Sequence, residues 1–465
     1  MIGARQDLEV DRCTGADGET RFSRRQIIGT TAAGLTAAGL TAGPRSQAAA
    51  QISTPASTPV PDEQVGLSGL AFENPEFDAQ FLRALDTVIE GGADIGECFI
   101  TARRIVPDDH DSWLAEWRAT ADRIFGYAEA SLAAGHPISA REAYLRSMTY
   151  YRTSGVFLYR PPLDPALIDS FDRQRDAFRR YAELSEYVVE EVAIPYEETT
   201  LPAYFLTPPG SGPYPTLVMV DGYEGTKEEL FLTGGAAALK RGYATLLIDG
   251  PGQGGVLFEQ GMVFRPDWEA VVTPQVDWLL TRPEVDPARI ALMGRSWGGY
   301  LAPRAATGEH RIAAVIADAA QYAPGERAAT LLPPEYRDQL GTATRDELNQ
   351  VLLDVMAQTP FVDFAINRGL LTHGFERPID FLLAYEPYTI RGLADRITCP
   401  TLICEAENDV RGGDAQPLYD AIVAPKEYML FTNAEGAGEH DELGAASRFQ
   451  QRVFDWLDET LAIVP

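Results

Sequence analysis

The chain has 465 residues, length for roughly two or three domains and a large core. It is 45% hydrophobic and 23% charged, which describes a folded globular protein and excludes a disordered or collagen-like one. Its 68 acidic against 39 basic residues give a net charge of −29, which repels nucleic-acid phosphates and anionic headgroups and leaves neutral or cationic partners.

Ser23-Arg24-Arg25-Gln26-Ile27-Ile28 opens a weakly apolar, Gly/Ala/Thr-rich run from Ile27 to Ala42, followed by Gly43-Pro44-Arg45 and Ala48-Ala49-Ala50. An arginine pair before a short apolar run that ends in small residues reads as a twin-arginine export signal over residues 1–50, cut after Ala50. The alternative is an amphipathic helix with a chance arginine pair. No later segment has the roughly 18 apolar residues of a membrane helix, so the expectation is an exported product, periplasmic or extracellular, without a stable span. Cys13 falls in the signal and leaves Cys98, Cys399 and Cys404. Cys399 and Cys404 sit around one predicted strand and point to opposite faces, so no disulfide framework is expected. Nor is there cysteine and histidine spacing of the zinc kind.

Residues 51–66, with the run ISTPASTPVPDE, lack hydrophobic periodicity and read as a linker. Over residues 67–186 apolar residues recur at three- and four-residue steps, as in Phe77, Phe81, Leu82 and Leu85, or Trp113, Leu114, Trp117 and Ile124, or Tyr144, Leu145, Met148 and Tyr151. This predicts an N-terminal helical domain, with Ser139 and Asp164 as N-caps. At Tyr187 the period changes to that of strands. Tyr187 to Pro195 and Leu201 to Thr207 alternate, and near-continuous apolar strands follow at Thr216 to Val220, Ala244 to Ile248, Ile290 to Met293, Ala313 to Ala317, Thr401 to Cys404 and Glu427 to Phe431. Helical stretches between most of them predict a mostly parallel sheet covered on both faces, an α/β catalytic domain over residues 187–465. The helical interval at about 321–396 is too long for a simple crossover and reads as a lid over the carboxyl ends of the strands, where open α/β sheets bind ligands.

The chemical signal is Gly294-Arg295-Ser296-Trp297-Gly298-Gly299, between the strand RIALM and a helix beginning near Tyr300. A serine on a tight strand-to-helix turn needs small neighbours, and its hydroxyl then projects above the sheet. That hydroxyl needs a base, and the base needs an acid to fix its tautomer. Of the five histidines, His110 and His136 lie in the helical domain, His310 ends the helix after the serine and His373 lies in the lid. His440 sits in a Gly-rich loop between the last strand and a closing amphipathic helix, and is the expected base. Asp409, after the strand TLICE, is the expected acid; Asp318, Glu407 and Asp414 are its rivals. The oxyanion donors are expected at the backbone of Trp297 and in Asp221-Gly222-Tyr223-Glu224-Gly225, at Tyr223 or Glu224. Asp249-Gly250-Pro251-Gly252-Gln253-Gly254-Gly255 lacks the Lys-Ser/Thr of a phosphate loop and reads as a pocket-shaping turn, so no nucleotide, cofactor or metal requirement is inferred.

GRSWGG around Ser296, DGPGQGG at 249–255, the run Glu224-Gly225-Thr226-Lys227-Glu228-Glu229 and EGAGEH ending at His440 together resemble an α/β-hydrolase subfamily. It is the one that holds 2,6-dihydroxypseudooxynicotine hydrolase, the Ayg1-type polyketide-shortening hydrolases and FrsA-like esterases. The resemblance implies a helical domain packed over the active site. It also implies, in some members, hydrolysis of a carbon–carbon bond next to a ketone, assisted by an acidic residue at the position of Glu224. Asp221 stands where glycine is expected, and Asp441 follows the histidine where relatives often carry cysteine.

The expected function is therefore an exported serine hydrolase acting on a ketone, ester or lactone of a neutral, aromatic or polyketide-like small molecule. If a carbon–carbon bond is cut, a buried Glu224 with a raised pKa is the expected proton donor. Phe361, Phe364, Phe381, Tyr385, Trp113 and Tyr150 are candidates for an aromatic pocket, with plain core packing as the alternative. The competing readings are an acyl-peptide or dipeptidyl peptidase-like hydrolase and a noncatalytic binding protein on the same fold. Monomer and homodimer are both open.

Overall fold

The helical period becomes five α-helices, α1 (Pro75–Asp86), α2 (Ile95–Ala102), α3 (His110–Ala133), α4 (Pro137–Ser154) and α5 (Pro165–Glu183). The computed structural model describes residues 66–67, 69–337, 340 and 343–463, all within one compact unit, Pro59–Pro465. The export signal, Cys13 and nearly all of the linker lie outside the described residues. Asp164 caps α5 as expected, its side chain accepting from Ala166 N at 2.8 Å. Ser139 does not cap α4: Pro137, with φ already set for a helix, takes the first position, and Ser139 falls inside the first turn.

Trp113 and Trp117 of α3 and Tyr144 and Met148 of α4 are fully buried in one core with Phe77 and Phe81 of α1. That core continues onto the sheet, because Phe178 of α5 packs on Tyr204 and Phe231 at 4.8 and 5.6 Å between ring centroids. The helices thus cover one sheet face directly.

The strands are β1 (Val188–Tyr196), β2 (Thr199–Thr207), β3 (Tyr214–Val220), β4 (Ala244–Ile248), β5 (Val285–Gly294), β6 (Ala314–Ala317), β7 (Thr401–Ala406) and β8 (Lys426–Phe431). They form one sheet in the order β1-β2-β4-β3-β5-β6-β7-β8, antiparallel as far as β4 and parallel beyond it. Alternate residues face opposite cores. In β5, Ala291 and Met293 join the helical side, while Ile290 and Leu292 join the other. β5 starts earlier than expected because Val285 pairs with Tyr214, and the exposed Pro287 and Ala288 lie in an irregularity before the regular pairing resumes at Ile290.

Between β6 and β7 the chain leaves the sheet through the helices Pro324–Arg327, Pro334–Arg337, Arg345–Gln358, Pro360–His373 and Pro378–Ala384. Cys98, Cys399 and Cys404 are buried free thiols. Among the described residues no helix is long and apolar enough to cross a membrane.

Trp113 has no exposure, sits 5.0 Å from both Phe77 and Phe157, and donates its indole N–H to Thr153 O at 2.8 Å. Trp113→Ala empties a rigid site and orphans that carbonyl. A loss of about 3–5 kcal/mol is expected in urea unfolding, whereas Trp113→Phe should lose less than half of that.

Candidate active site

β5 ends at Gly294, and Ser296 at φ 56 turns the chain into the helix Gly298–Ala306. A Cβ at Gly294 would lie 1.9 Å from Gly298 O, and one at Gly298 would lie 2.5 Å from Val220 O. No side chain fits at either place. The left-handed serine costs about 1–2 kcal/mol, which the surrounding sheet and helix hold in place.

Ser296 Oγ lies 2.9 Å from His440 Nε2, and His440 Nδ1 lies 2.9 Å from Asp409 Oδ2. Asp409 Oδ1 accepts from Arg411 N at 2.8 Å and Gly412 N at 2.9 Å. Burial works against the Asp409 charge, but His440 and these two amides overcome it and hold the carboxyl at about 2. Ionised, Asp409 takes the Nδ1 proton, so Nε2 faces the serine as an acceptor. The rivals point elsewhere. Asp318 Oδ2 accepts from Arg295 Nε at 2.8 Å, Glu407 Oε2 from Asn433 N at 2.7 Å, and Asp414 Oδ2 from Ala323 N at 3.4 Å.

Asp441 brings a second carboxylate. Its Oδ1 accepts from Ser296 N at 3.0 Å and lies 3.6 Å from His440 Nε2, while its carbonyl accepts from Arg295 Nη2. The loop after β8 is thereby fastened to the serine turn. Burial disfavours the imidazolium, yet Asp409 and Asp441 outweigh burial and the opposing Arg411 and raise the His440 pKa above its ordinary value.

Gly222 follows β3 directly against the serine: a Cβ there would lie 2.8 Å from Ser296 Cβ. Its own N–H is taken by Asp221 Oδ1 at 2.7 Å. The backbone N–H groups of Trp297, Tyr223 and Glu224 have no acceptor among the described residues. Of the two loop candidates Tyr223 lines the cavity at Ser296 and Glu224 does not, so Trp297 and Tyr223 are the better placed pair of donors. Asp221, where glycine was expected, is buried and packed against Gly225; burial and Glu229 push its carboxyl up to about 7.

Glu224 corrects the sequence expectation. It is buried, but Arg368 Nη1 reaches Oε1 at 2.5 Å and Arg83 Nη1 lies 3.9 Å from Oε2. Burial alone would raise its pKa; Arg368, Arg83 and Arg152 reverse this and hold it at about 2. In this arrangement Glu224 is held as a carboxylate, the opposite of the raised pKa expected.

The cavity at Ser296 has a volume of about 230 Å³, with aromatic walls from Tyr223, Trp297, Phe361, Phe381 and Tyr385. Three of the expected pocket aromatics do not reach it: Phe364, Trp113 and Tyr150 belong to the helical-side core. Behind the cavity, buried His373 is kept neutral, pushed down to about 3 by burial and Arg368. Tyr388 donates to Phe264 O at 2.9 Å, so it accepts from His373 Nδ1 at 3.0 Å. Nε2 then accepts from Tyr223 OH at 2.9 Å, and Tyr385 donates to Tyr223. Sequence reasoning set His373 aside as a lid residue and passed over Arg327, Arg368 and Arg411, which also line the cavity. No local motif marks them. Among the described residues no group of His, Cys, Asp and Glu side chains is arranged to hold a metal ion.

A base raised above the ordinary histidine value of about 6.5 must lose its proton before it accepts one from serine. The acid limb of kcat/KM against pH is therefore expected above that value. Asp441→Asn removes a negative charge beside Nε2, so the imidazolium loses support and the limb should move to lower pH by about half a unit or more, while Asp441→Glu keeps it near the wild-type position.

Comparison with known proteins bears on what this site belongs to. The family model of X-Pro dipeptidyl-peptidase (S15 family) matches residues 197–327. Hydrolase LUC6 of Fusarium sp is 32% identical over 411 residues, spanning 84% of this chain and 98% of its own. The 20-hydroxy-prefusarin hydrolase FUS2 of Gibberella moniliformis is also 32% identical over 411 residues, with the same shares of 84% and 98%. The crystal structure of 2,6-dihydroxy-pseudo-oxynicotine hydrolase superposes with a TM-score of 0.66 at 22% identity over 81% of this chain and 95% of that one, a likeness of fold. With relatives of this identity aligned over nearly their whole length, the chain belongs to the α/β-hydrolase subfamily of these fungal hydrolases and is a hydrolase.

Proposed function

We propose that the protein is an exported serine hydrolase that cleaves an ester or lactone of an aromatic or polyketide-like small molecule. The observation that carries the reading is the unbroken hydrogen-bond chain from Ser296 through His440 to Asp409 at the cavity. Ser296 Oγ attacks the carbonyl carbon and gives its proton to His440 Nε2. Asp409 stabilises the imidazolium, and the N–H groups of Trp297 and Tyr223 receive the oxyanion. The bond to the leaving oxygen breaks as His440 returns the proton to it, and water then releases the acyl group by the reverse sequence. Export rests on the Arg24-Arg25 segment. The helices α1 to α5 are read as a cap on the catalytic half.

Carbon–carbon cleavage needs an acid for the departing carbanion, and Glu224 is ionised among arginines, which favours an oxygen leaving group. The polyketide-like substrate class follows the resemblance to polyketide-shortening hydrolases, and one relative is named for its own substrate, 20-hydroxy-prefusarin. The family-model match keeps a dipeptidyl-peptidase reading in play. The ammonium of a free peptide N-terminus, however, would meet Arg327, Arg368 and Arg411 at the cavity wall and no lining carboxylate.

A panel of p-nitrophenyl esters, lactones, aryl ketones, β-diketones and X-Pro anilides tests this. Hydrolysis of esters or lactones with a loss on the order of 10⁴-fold in Ser296→Ala is expected; undiminished turnover in that variant refutes the mechanism. Glu224→Gln leaves Arg368 without its buried counter-charge, while Arg83 keeps Glu229, so it should destabilise the fold by about 3–5 kcal/mol and reduce ester and ketone turnover alike. A loss confined to ketones would restore Glu224 to the chemistry.

A further inference from the structure

We infer that the cavity beside Ser296 accepts a substrate whose apolar body carries a carboxylate, and that Arg327 binds that carboxylate. The charged groups on the cavity wall are Arg327, Arg368 and Arg411, with no aspartate or glutamate among the lining residues. Two of the three are neutralised from behind. Arg368 is bound to Glu224 at 2.5 Å, and Arg411 Nη2 to Glu76 Oε1 at 2.6 Å. Arg327 has no such partner. Its Nη1 donates to Gly412 O, and no carboxylate lies within 4.0 Å of it among the described residues.

Other described arginines, Arg241 and Arg337 among them, also donate to backbone carbonyls without a paired carboxylate, but Arg327 does so on the wall of the cavity at Ser296. The adjoining loop is also shaped to the guanidinium. Gly413 stands at φ 107, and a Cβ there would lie 3.2 Å from Arg327 Nη2. A guanidinium has five N–H donors in a planar fork, and one carbonyl occupies only one of them. The remaining edge matches a carboxylate, which takes two parallel N–H groups.

The negative charges near Ser296 limit where the anion sits. Asp409 is committed to His440 and two backbone amides, and Asp441 to Ser296 N, so both repel an anion from the histidine side. The carboxylate therefore lies on the Arg327 side, with the apolar body along Phe361, Phe381 and Tyr385. This replaces the expectation of a neutral substrate. It rests on the hydrolase reading only for the bond that is cut, not for the recognition of the charge.

Binding and turnover separate the two. In calorimetry with full-length Ser296→Ala, 4-phenylbutyrate is expected to bind at least tenfold more tightly than 4-phenylbutanamide. That advantage should shrink in added salt, fall in Ser296→Ala/Arg327→Lys, and vanish in Ser296→Ala/Arg327→Gln. With wild type, kcat/KM for the p-nitrophenyl monoester of glutaric acid should exceed that for its methyl-capped diester by a similar factor, mainly through KM. Equal affinity of acid and amide, or an advantage that survives in the Gln variant, overturns the proposal. Because acid and amide are first compared on one protein, the test holds even if the Gln variant fails to fold. If both esters are cut without preference and binding shows none, this inference fails and the hydrolase reading stands. If neither ester is cut while the Arg327-dependent binding persists, the ester-cleaving reading fails and the carboxylate site stands.

Discussion

Two buried carboxylates hold together the parts that make the site. Glu229 receives Arg83 Nε at 2.8 Å and Arg152 Nε at 3.0 Å, and Glu224 receives Arg368 at 2.5 Å. The arginines come from α1, α4 and the lid helix Pro360–His373, and both glutamates come from the segment after β3. Buried charges tolerate no loss of a partner, so these pairs specify one arrangement of α1, α4, the helix Pro360–His373 and the segment after β3 more than they add net stability. The oxyanion loop lies immediately before Glu224 and cannot be regular secondary structure, since its N–H groups must face the cavity. Its rigidity comes from neighbours instead: Glu224 is anchored in the cluster, and Gln253 donates to Asp221 O at 2.5 Å and to Gly222 O at 3.1 Å. Donors fixed before the charge develops need no reorganisation when it does.

A second arginine organises the other side of the serine turn. Arg295 is 5% exposed, with Asp318 and the Asp441 carbonyl as hydrogen-bond partners, and Glu442 at 4.0 Å. Burial raises the carboxyls of Asp318 and Glu442 above their ordinary values, while Arg295 between them works the other way. The arrangement ties the residue before the nucleophile to the residue after the base. It braces the 2.9 Å approach of Ser296 and His440 from beneath, and Asp86 of α1, which accepts from Gly444 N at 2.8 Å, ties the same loop to the N-terminal helices. The two arginine clusters flank Ser296, one bracing the proposed oxyanion donors and the other the proposed base.

What was legible in the sequence was what local geometry dictates. The serine turn is readable because Gly294 and Gly298 are required by atoms within the turn and the adjoining strand. The strands of the parallel sheet are readable because burial on both faces forces unbroken apolar runs. His440 emerged from the small number of histidines and its place after the last strand. Asp409 and Asp318 each follow a strand, and only coordinates show which carboxylate meets the imidazole. Glu224 is the instructive error. Its burial was legible, but the sign of its pKa shift depends on Arg83 and Arg368, each more than 140 positions away in the chain. Desolvation and pairing act in opposite directions, and periodicity reveals only the first. Arg327 escaped for the same reason: a missing partner leaves no mark on a sequence.

The proton inventory around the cavity narrows the chemistry. Glu224 and Asp409 are held ionised, and neutral His373 has its one N–H committed to Tyr388. Tyr223 and Tyr385 have pKa values raised by burial and retain their protons. Asp221 can carry a proton near neutral pH, but it packs under Gly225, where a Cβ would lie 2.3 Å from its Oδ2, and it does not line the cavity. In the proposed mechanism the imidazole of His440 is thus left as the group that both takes a proton from Ser296 and returns it. One shuttle serves a leaving oxygen, which departs from the same tetrahedral carbon within reach of Nε2. A carbanion departing toward the aromatic wall would find no comparable donor there. The arginines that fix the loop also hold Glu224 ionised, so on the proposed reading the bracing of the oxyanion donors and the choice of an oxygen leaving group share one electrostatic origin.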